Sequence, residues 1–264
     1  MKLFKSIDNS RELGGYTSSD GRKIRSGVLL RTAKLDAISD EDIRILRDKY
    51  RLQDIIDLRM EVERIGADDP EIDGARYSHL DVLDFSDMMP EDAEQADING
   101  FSLPEIVELM TQTGMLTDKM YIGFLMNKKG LDAFSRFFRI LLEADPERAV
   151  LWHCTSGKDR TGLAAMLLLS ALEVDEETTI SDFVLTNEFN ASRIEATRKY
   201  LAAQGCSDEM IKKGLLVFDM VDESFMRTAM NYLKKEFGSV KGYITDALNI
   251  TEDEINSLKE KYLV

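Results

Sequence analysis

Apolar residues recur at helical spacing from Ser39 to Tyr50, and Asp40 to Asp42 put acid in the first turn, so this segment predicts an amphipathic helix. Leu52 to Leu58 (LQDIIDL) then reads as a buried strand, and Arg76 to Leu83 (RYSHLDVL) as a second one leading into the acidic loop Asp84 to Gly100. Leu116 to Asn127 and Leu131 to Glu143 return to three- and four-residue spacing, and Asp145-Pro146 stops the second of these helices. Arg148 to His153 (RAVLWH) is an apolar run of strand length. From Arg160 the pattern changes again, because TGLAAMLLLSALEV is apolar nearly all round and predicts a helix buried on most sides.

Further helices are predicted around Thr178 to Leu201, Ser207 to Phe218 and Asp222 to Phe237, with a last one opened by the capping-box pair Thr251 and Glu254. Strands alternating with helices through the first two thirds, then helices alone, predict an α/β layer fold. Neither a repeat nor a linker-like tract interrupts the chain, so a single domain over residues 1–264 is expected.

Composition narrows the classes of function. With 264 residues, 44% of them hydrophobic, the chain can fill a substantial core, and its two cysteines cannot make a disulfide framework. The start, MKLFKSID, lacks an apolar signal region, and the run Gly162 to Val174 is shorter than the ~20 residues that span a bilayer. The expectation is a cytoplasmic protein without integral membrane association, secretion without a signal peptide aside. A formal net charge of -15 opposes nonspecific binding to nucleic acid or anionic membrane, so an anionic ligand needs a local positive site.

Such a site is written into Leu151 to Gly162, LWHCTSGKDRTG, at a strand-to-helix junction. Cys154 ends the strand, and the next six residues lead into the helix. Loop amides, with the unpaired N–H groups and positive dipole end of a helix N-terminus, make an anion cradle that favours the thiolate of Cys154. Arg160 offers a planar fork to two oxygens of a tetrahedral oxyanion. Gly157 permits a tight bend and close backbone approach, Thr161 can turn its hydroxyl toward the sulfur, and His153 can hold the loop from behind. Thr155, Ser156, Gly157, Lys158, Asp159 and Arg160 are thus the candidate phosphate-binding residues. The chemistry that fits is phosphoryl transfer to sulfur followed by hydrolysis, with no cofactor or metal. His79, alone on a candidate strand, gives little support to a metal site, and Cys206 is assigned no function.

These residues resemble the cysteine-dependent protein tyrosine phosphatase superfamily, whose signature is H-C, five residues, then R-[ST]; His153, Cys154, Arg160 and Thr161 fill its fixed positions. The form HCxxGKDRTG is similar, more narrowly, to the bacterial protein tyrosine/serine phosphatases, some of which act on phosphoinositides. NSRELGG (Asn9 to Gly15), GVLLRT (Gly27 to Thr32), the Asp57-Leu58-Arg59 after a strand, and FGSVKGYI (Phe237 to Ile244) extend the similarity along nearly the whole chain.

The resemblance implies a mostly parallel central sheet flanked by helices, with extra C-terminal helices over 187–219 forming a lid. It implies Cys154 as nucleophile, Arg160 as phosphate binder, and phosphorylated proteins or phosphoinositides as substrates. For the general acid it leaves two aspartates, Asp159 in the cradle as first choice and Asp84 after the second strand as the other. Lys158 implies contact with an additional substrate phosphate and reads equally well as a solvated loop lysine. Arg11, Arg31 and Arg59 read either as substrate counterions or as structural partners for acidic residues. Two other functions use similar parts: a rhodanese-type sulfurtransferase, and a catalytically silent phosphoprotein-binding module.

Overall fold

In the computed structural model, which describes residues 2–83, 101–113 and 116–264, five strands form one sheet in the order β1-β2-β5-β3-β4. They are β1 (Arg11–Glu12), β2 (Leu29–Thr32), β3 (Asp54–Asp57), β4 (Arg76–His79) and β5 (Val150–His153). All neighbours run parallel except β1, which pairs antiparallel with β2. The α/β architecture expected from the alternation is therefore present. The predicted strand Arg76–Leu83 is a strand only to His79; it lies at the sheet edge with Arg76 and Tyr77 exposed.

The two sheet faces bury separate cores, and the period of two along β5 decides which residue meets which. Val150 and Trp152 point into the larger core, together with Ile56, Leu29 and Cys154, whereas Leu151 joins Leu30, Ile55, Leu46 and Phe4 on the other face. Helix Asp159–Ala171 lies on the larger core, and every side chain from Thr161 to Leu169 is buried. Its all-round apolar sequence is explained by its covering: helices Met120–Met126, Lys128–Glu143, Glu176–Val184, Val240–Asp246 and Glu252–Tyr262 all pack on it or beside it.

The expected helix Ser39 to Tyr50 is an α-helix over Asp40–Arg44 that widens into a π-helical segment over Ile45–Lys49. Helix Leu116 to Asn127 shortens to Met120–Met126, while its successor starts earlier, at Lys128, because Asn127 accepts the Gly130 N–H as its cap. The long helix predicted at Thr178 to Leu201 is three: Glu176–Val184, Thr186–Phe189 and Ala191–Ala203. Helix Leu103–Gln112 lies outside the predicted elements, although Leu103, Ile106, Val107 and Met110 fall at helical spacing behind the capping pair Ser102 and Glu105. It joins Ala191–Ala203 and Asp208–Phe218 around a small third core of Leu201, Ile211 and Leu215, with Leu103, Ile194, Cys206 and Met220 packed against it.

Candidate active site

The loop from Cys154 to Lys158 leaves the C-terminal end of β5, in the middle of the sheet, and enters helix Asp159–Ala171. Three consecutive carbonyls of this loop are tied from one side. Thr155 O accepts from the Lys34 N–H, Ser156 O from Asn9 Nδ2 at 3.2 Å, and Gly157 O from Asn9 Nδ2 at 2.7 Å and Arg31 at 3.0 Å. In a planar trans peptide the N–H points opposite to the C=O, so these ties turn the amides of Ser156, Gly157 and Lys158 the other way, as an anion cradle needs. Gly157 is obligatory: its φ is +66°, and a Cβ there would lie 2.4 Å from the Thr32 carbonyl oxygen.

Cys154 is buried at the root of this loop, 1% exposed. Arg160 makes a two-pronged pair with Glu63, its Nη2 2.8 Å from Oε1 and its Nη1 on Oε2, and the Thr155 hydroxyl donates to the same carboxylate at 2.5 Å. Glu63 reaches the loop from the short helix Glu61–Arg64, after β3, where it also accepts the Met60 N–H. Burial pushes the Glu63 carboxyl up, but the charge of Arg160 and the hydrogen bonds from Arg160 and Thr155 outweigh it and hold the group down to about 2. Burial likewise opposes the Arg160 charge, and Glu63 overcomes it, so the guanidinium stays protonated at any working pH.

Asp159 accepts a 2.6 Å hydrogen bond from the Tyr121 hydroxyl. Lys158 is not a solvated loop lysine. It is 3% exposed, and its Nζ donates to the carbonyls of Leu216 and Met220, the latter at 3.1 Å, at the C-terminal end of helix Asp208–Phe218, where unpaired carbonyls and the negative dipole end attract a cation. Ser156 donates its hydroxyl to Phe218 O in the same turn, at 3.1 Å. The Thr161 hydroxyl is buried and has no hydrogen-bond partner among the described residues. Asp84, the other acid candidate, lies outside the described residues.

Behind the loop, ion pairs hold the frame. Arg11 and Arg31 both bind Asp182, at 3.0 and 2.6 Å, and burial followed by the neighbouring Arg11 charge lowers Arg31 to about 10, which still leaves it protonated at neutral pH. Arg59 is bound by Asp57 at 2.7 Å and Asp69 at 3.0 Å, and Asp69 also holds His153 Nε2 at 2.6 Å. All three arginines thus follow the structural reading rather than the substrate one. Asp57, Asp69 and His153 lie close enough to share a metal ion, but the buried guanidinium of Arg59 already supplies the positive charge that their carboxylates need. Of these partners Asn9, Arg11, Arg31, Asp57 and Arg59 stand inside the motif segments, whereas Glu63, Asp69, Tyr121 and Asp182 carry no signal in the sequence.

A cavity of about 400 Å³ opens over the loop. Cys154, Thr155, Ser156, Lys158, Asp159 and Arg160 line its polar end, joined by Glu63 and Arg193. Its walls are apolar and come largely from helices Leu103–Gln112 and Asp208–Phe218, through Ile106, Leu109, Met110, Leu216, Val217 and Phe218.

A buried thiol at the end of a central parallel strand, a glycine-bent loop and an arginine in the following helix thus stand together on one α/β sheet, in the arrangement expected from the sequence. The chain belongs to the tyrosine phosphatase family, whose profile matches residues 3–264. Members of that family are hydrolases of phosphomonoesters, and the sulfurtransferase alternative falls away. Among relatives, a Cupriavidus necator protein provisionally named a tyrosine-protein phosphatase is 27% identical over 263 residues, covering 98% of this chain and 87% of that protein. The triple specificity protein phosphatase PtpB of Mycobacterium tuberculosis is 25% identical, covering 89% of this chain and 91% of that protein. A Nostoc commune tyrosine-protein phosphatase is 25% identical over 89% of this chain and 74% of its own. Among the described residues, no helix is long and apolar enough to cross a membrane.

Proposed function

We propose that this cavity hydrolyses phosphotyrosine in proteins, and phosphoserine, phosphothreonine and phosphoinositide esters besides, through a cysteinyl phosphate on Cys154. The observation that carries this reading is that Cys154 and Arg160 line one cavity together with a largely apolar set of side chains. A tetrahedral dianion at the loop meets amides and a guanidinium, while its organic part meets hydrocarbon. The Cys154 thiolate attacks phosphorus; as the P–S bond forms, the P–O bond to the leaving group breaks and Asp159 gives that oxygen a proton. Water then attacks, loses a proton to Asp159, and displaces the thiolate, which the uncommitted Thr161 hydroxyl is available to stabilise. Every group this sequence uses is on the chain, so no cofactor is required. A thiolate nucleophile must stay reduced, in keeping with the cytoplasmic location expected from the sequence.

The breadth of substrate draws support from two sources. A cavity of about 400 Å³ is large enough for an aryl ring, and a relative of similar length is named for three specificities. The test is turnover of phosphotyrosine, phosphoserine and phosphothreonine peptides and phosphoinositide micelles, by wild type and by Asp159→Ala. We expect Asp159→Ala to lose about 100-fold or more on phosphoserine, whose leaving oxygen must be protonated, and under about 10-fold on nitrophenyl phosphate. Equal losses on both esters would remove Asp159 as the acid.

Residues 187–219 act in this proposal as a lid. In support, Lys158 and Ser156 of the phosphate loop cap the last carbonyls of helix Asp208–Phe218, so the lid cannot lift without releasing them. A substrate with a second phosphate can replace those carbonyls at Lys158, which ties lipid recognition to opening. Lys158→Met should raise amide exchange across residues 208–218 about 10-fold without ligand, and vanadate should change it in wild type. Identical exchange in all three states would rule the lid out.

A further inference from the structure

Tyr121 does not line the cavity, yet it touches Asp159. It sits on helix Met120–Met126, 1% exposed, and its ring packs edge-on against Phe183 and Phe225 and tilted against Phe124, at centroid distances of 5.9, 5.8 and 6.1 Å. Phenylalanine would fill that space with no polar atom to satisfy. The hydroxyl is therefore explained by its partner, Asp159 Oδ1, at 2.6 Å. Burial first, and then the charge of Asp159, raise the Tyr121 phenol well above its ordinary range, so it is always a donor at this contact.

The two carboxylate oxygens of Asp159 are consequently unequal. Oδ1 accepts from an obligate donor, whereas Oδ2 stands 3.5 Å from the nearest cation, Lys158 Nζ, which is beyond a strong hydrogen bond. We propose that Tyr121 is a positioning residue for the proton transfer, holding Oδ1 so that the proton is carried on and delivered from Oδ2. This rests on the reading of Asp159 as the acid. In the first step the P–S bond forms, the P–O bond breaks, and the Oδ2 proton moves to the leaving oxygen. The negative charge left on Asp159 is stabilised at Oδ1 by the Tyr121 hydrogen bond. In the second step Oδ2 takes the proton of the attacking water while the new P–O bond forms and the P–S bond breaks; the Tyr121 proton stays on its own oxygen throughout.

The test compares Tyr121→Phe, Asp159→Ala and the double variant of the whole protein. Single-turnover rates are read on nitrophenyl phosphate, a good leaving group, and on phenyl phosphate, a poor one, together with vanadate affinity and melting temperature. Tyr121→Phe should lose about 10- to 100-fold on phenyl phosphate and less than about 3-fold on nitrophenyl phosphate, with vanadate affinity unchanged. In the Asp159→Ala background it should lose nothing more, because the group it positions is gone. Equal losses on the two esters, or a full further loss in the double variant, mark a packing role and overturn the proposal. If Asp159→Ala discriminates between the esters and Tyr121→Phe does not, Tyr121 alone is refuted. If Asp159→Ala itself does not discriminate, the acid assignment fails and this proposal fails with it.

Discussion

Cys154→Ser is expected to abolish hydrolysis of every phosphate ester, by at least about 10^4-fold in kcat, while vanadate or phosphate still binds. The substitution replaces sulfur by oxygen in a space that holds Cys154 at 1% exposure, and it leaves the rest of the loop alone. Asn9 and Arg31 still tie the carbonyls of Ser156 and Gly157, so the loop amides keep their direction. A serine hydroxyl ionises far less readily than a thiol. Binding and chemistry should therefore separate. Turnover assays beside vanadate titration check this; a serine variant that turns over at the wild-type rate would sink the nucleophile assignment.

Arg160→Lys should cost about 10^3-fold in kcat/KM and weaken vanadate binding, although the charge is conserved. The guanidinium engages Glu63 with two nitrogens, one of them at 2.8 Å, while still bordering the cavity. A lysine ammonium has neither the plane nor the number of directed donors for this double duty. If it turns to Glu63 the phosphate loses its clamp, and if it turns to phosphate a half-buried carboxylate held down to about 2 is left without its counterion. Melting temperature with and without vanadate distinguishes the two: a variant as active and as stable as wild type would show that geometry here does not matter.

The parts of the site that a reader of the sequence can find are those adjacent in the chain. His153 to Gly162 are contiguous, and the change from strand to all-apolar helix frames them. Glu63, Tyr121 and Asp69 arrive from distant elements: Glu63 pairs with a residue 97 positions away and Tyr121 with one 38 away. A lone carboxylate or phenol in such segments looks like any other, so the sequence holds no sign of them. The lysine was misleading for a different reason. Lys158 looks like a loop charge because the helix end that absorbs it, at Leu216 to Met220, is a tertiary neighbour.

The fold divides in the same way. Long periodic helices and the apolar strands β3 and β5 follow from pattern, because burial on both sheet faces demands continuous hydrocarbon. Strand β2 hides in GVLLRT, where only four residues form the strand and one, Arg31, is fully buried and charged. That residue is tolerated through Asp182, which lies 151 residues on. The short helix Val240–Asp246 depends on tertiary packing for its stability rather than on local periodicity.

The covalent step on Cys154 is tested by acid-quenching the protein during turnover of an aryl phosphate and mapping the phosphoryl group by mass spectrometry. We expect a phosphoryl adduct on the peptide containing Cys154, lost on chemical cleavage of thiophosphate esters, absent in Cys154→Ser and enriched in Asp159→Ala, where water is no longer deprotonated. Turnover with no adduct on Cys154 under any quench, or an adduct on another residue, would contradict it.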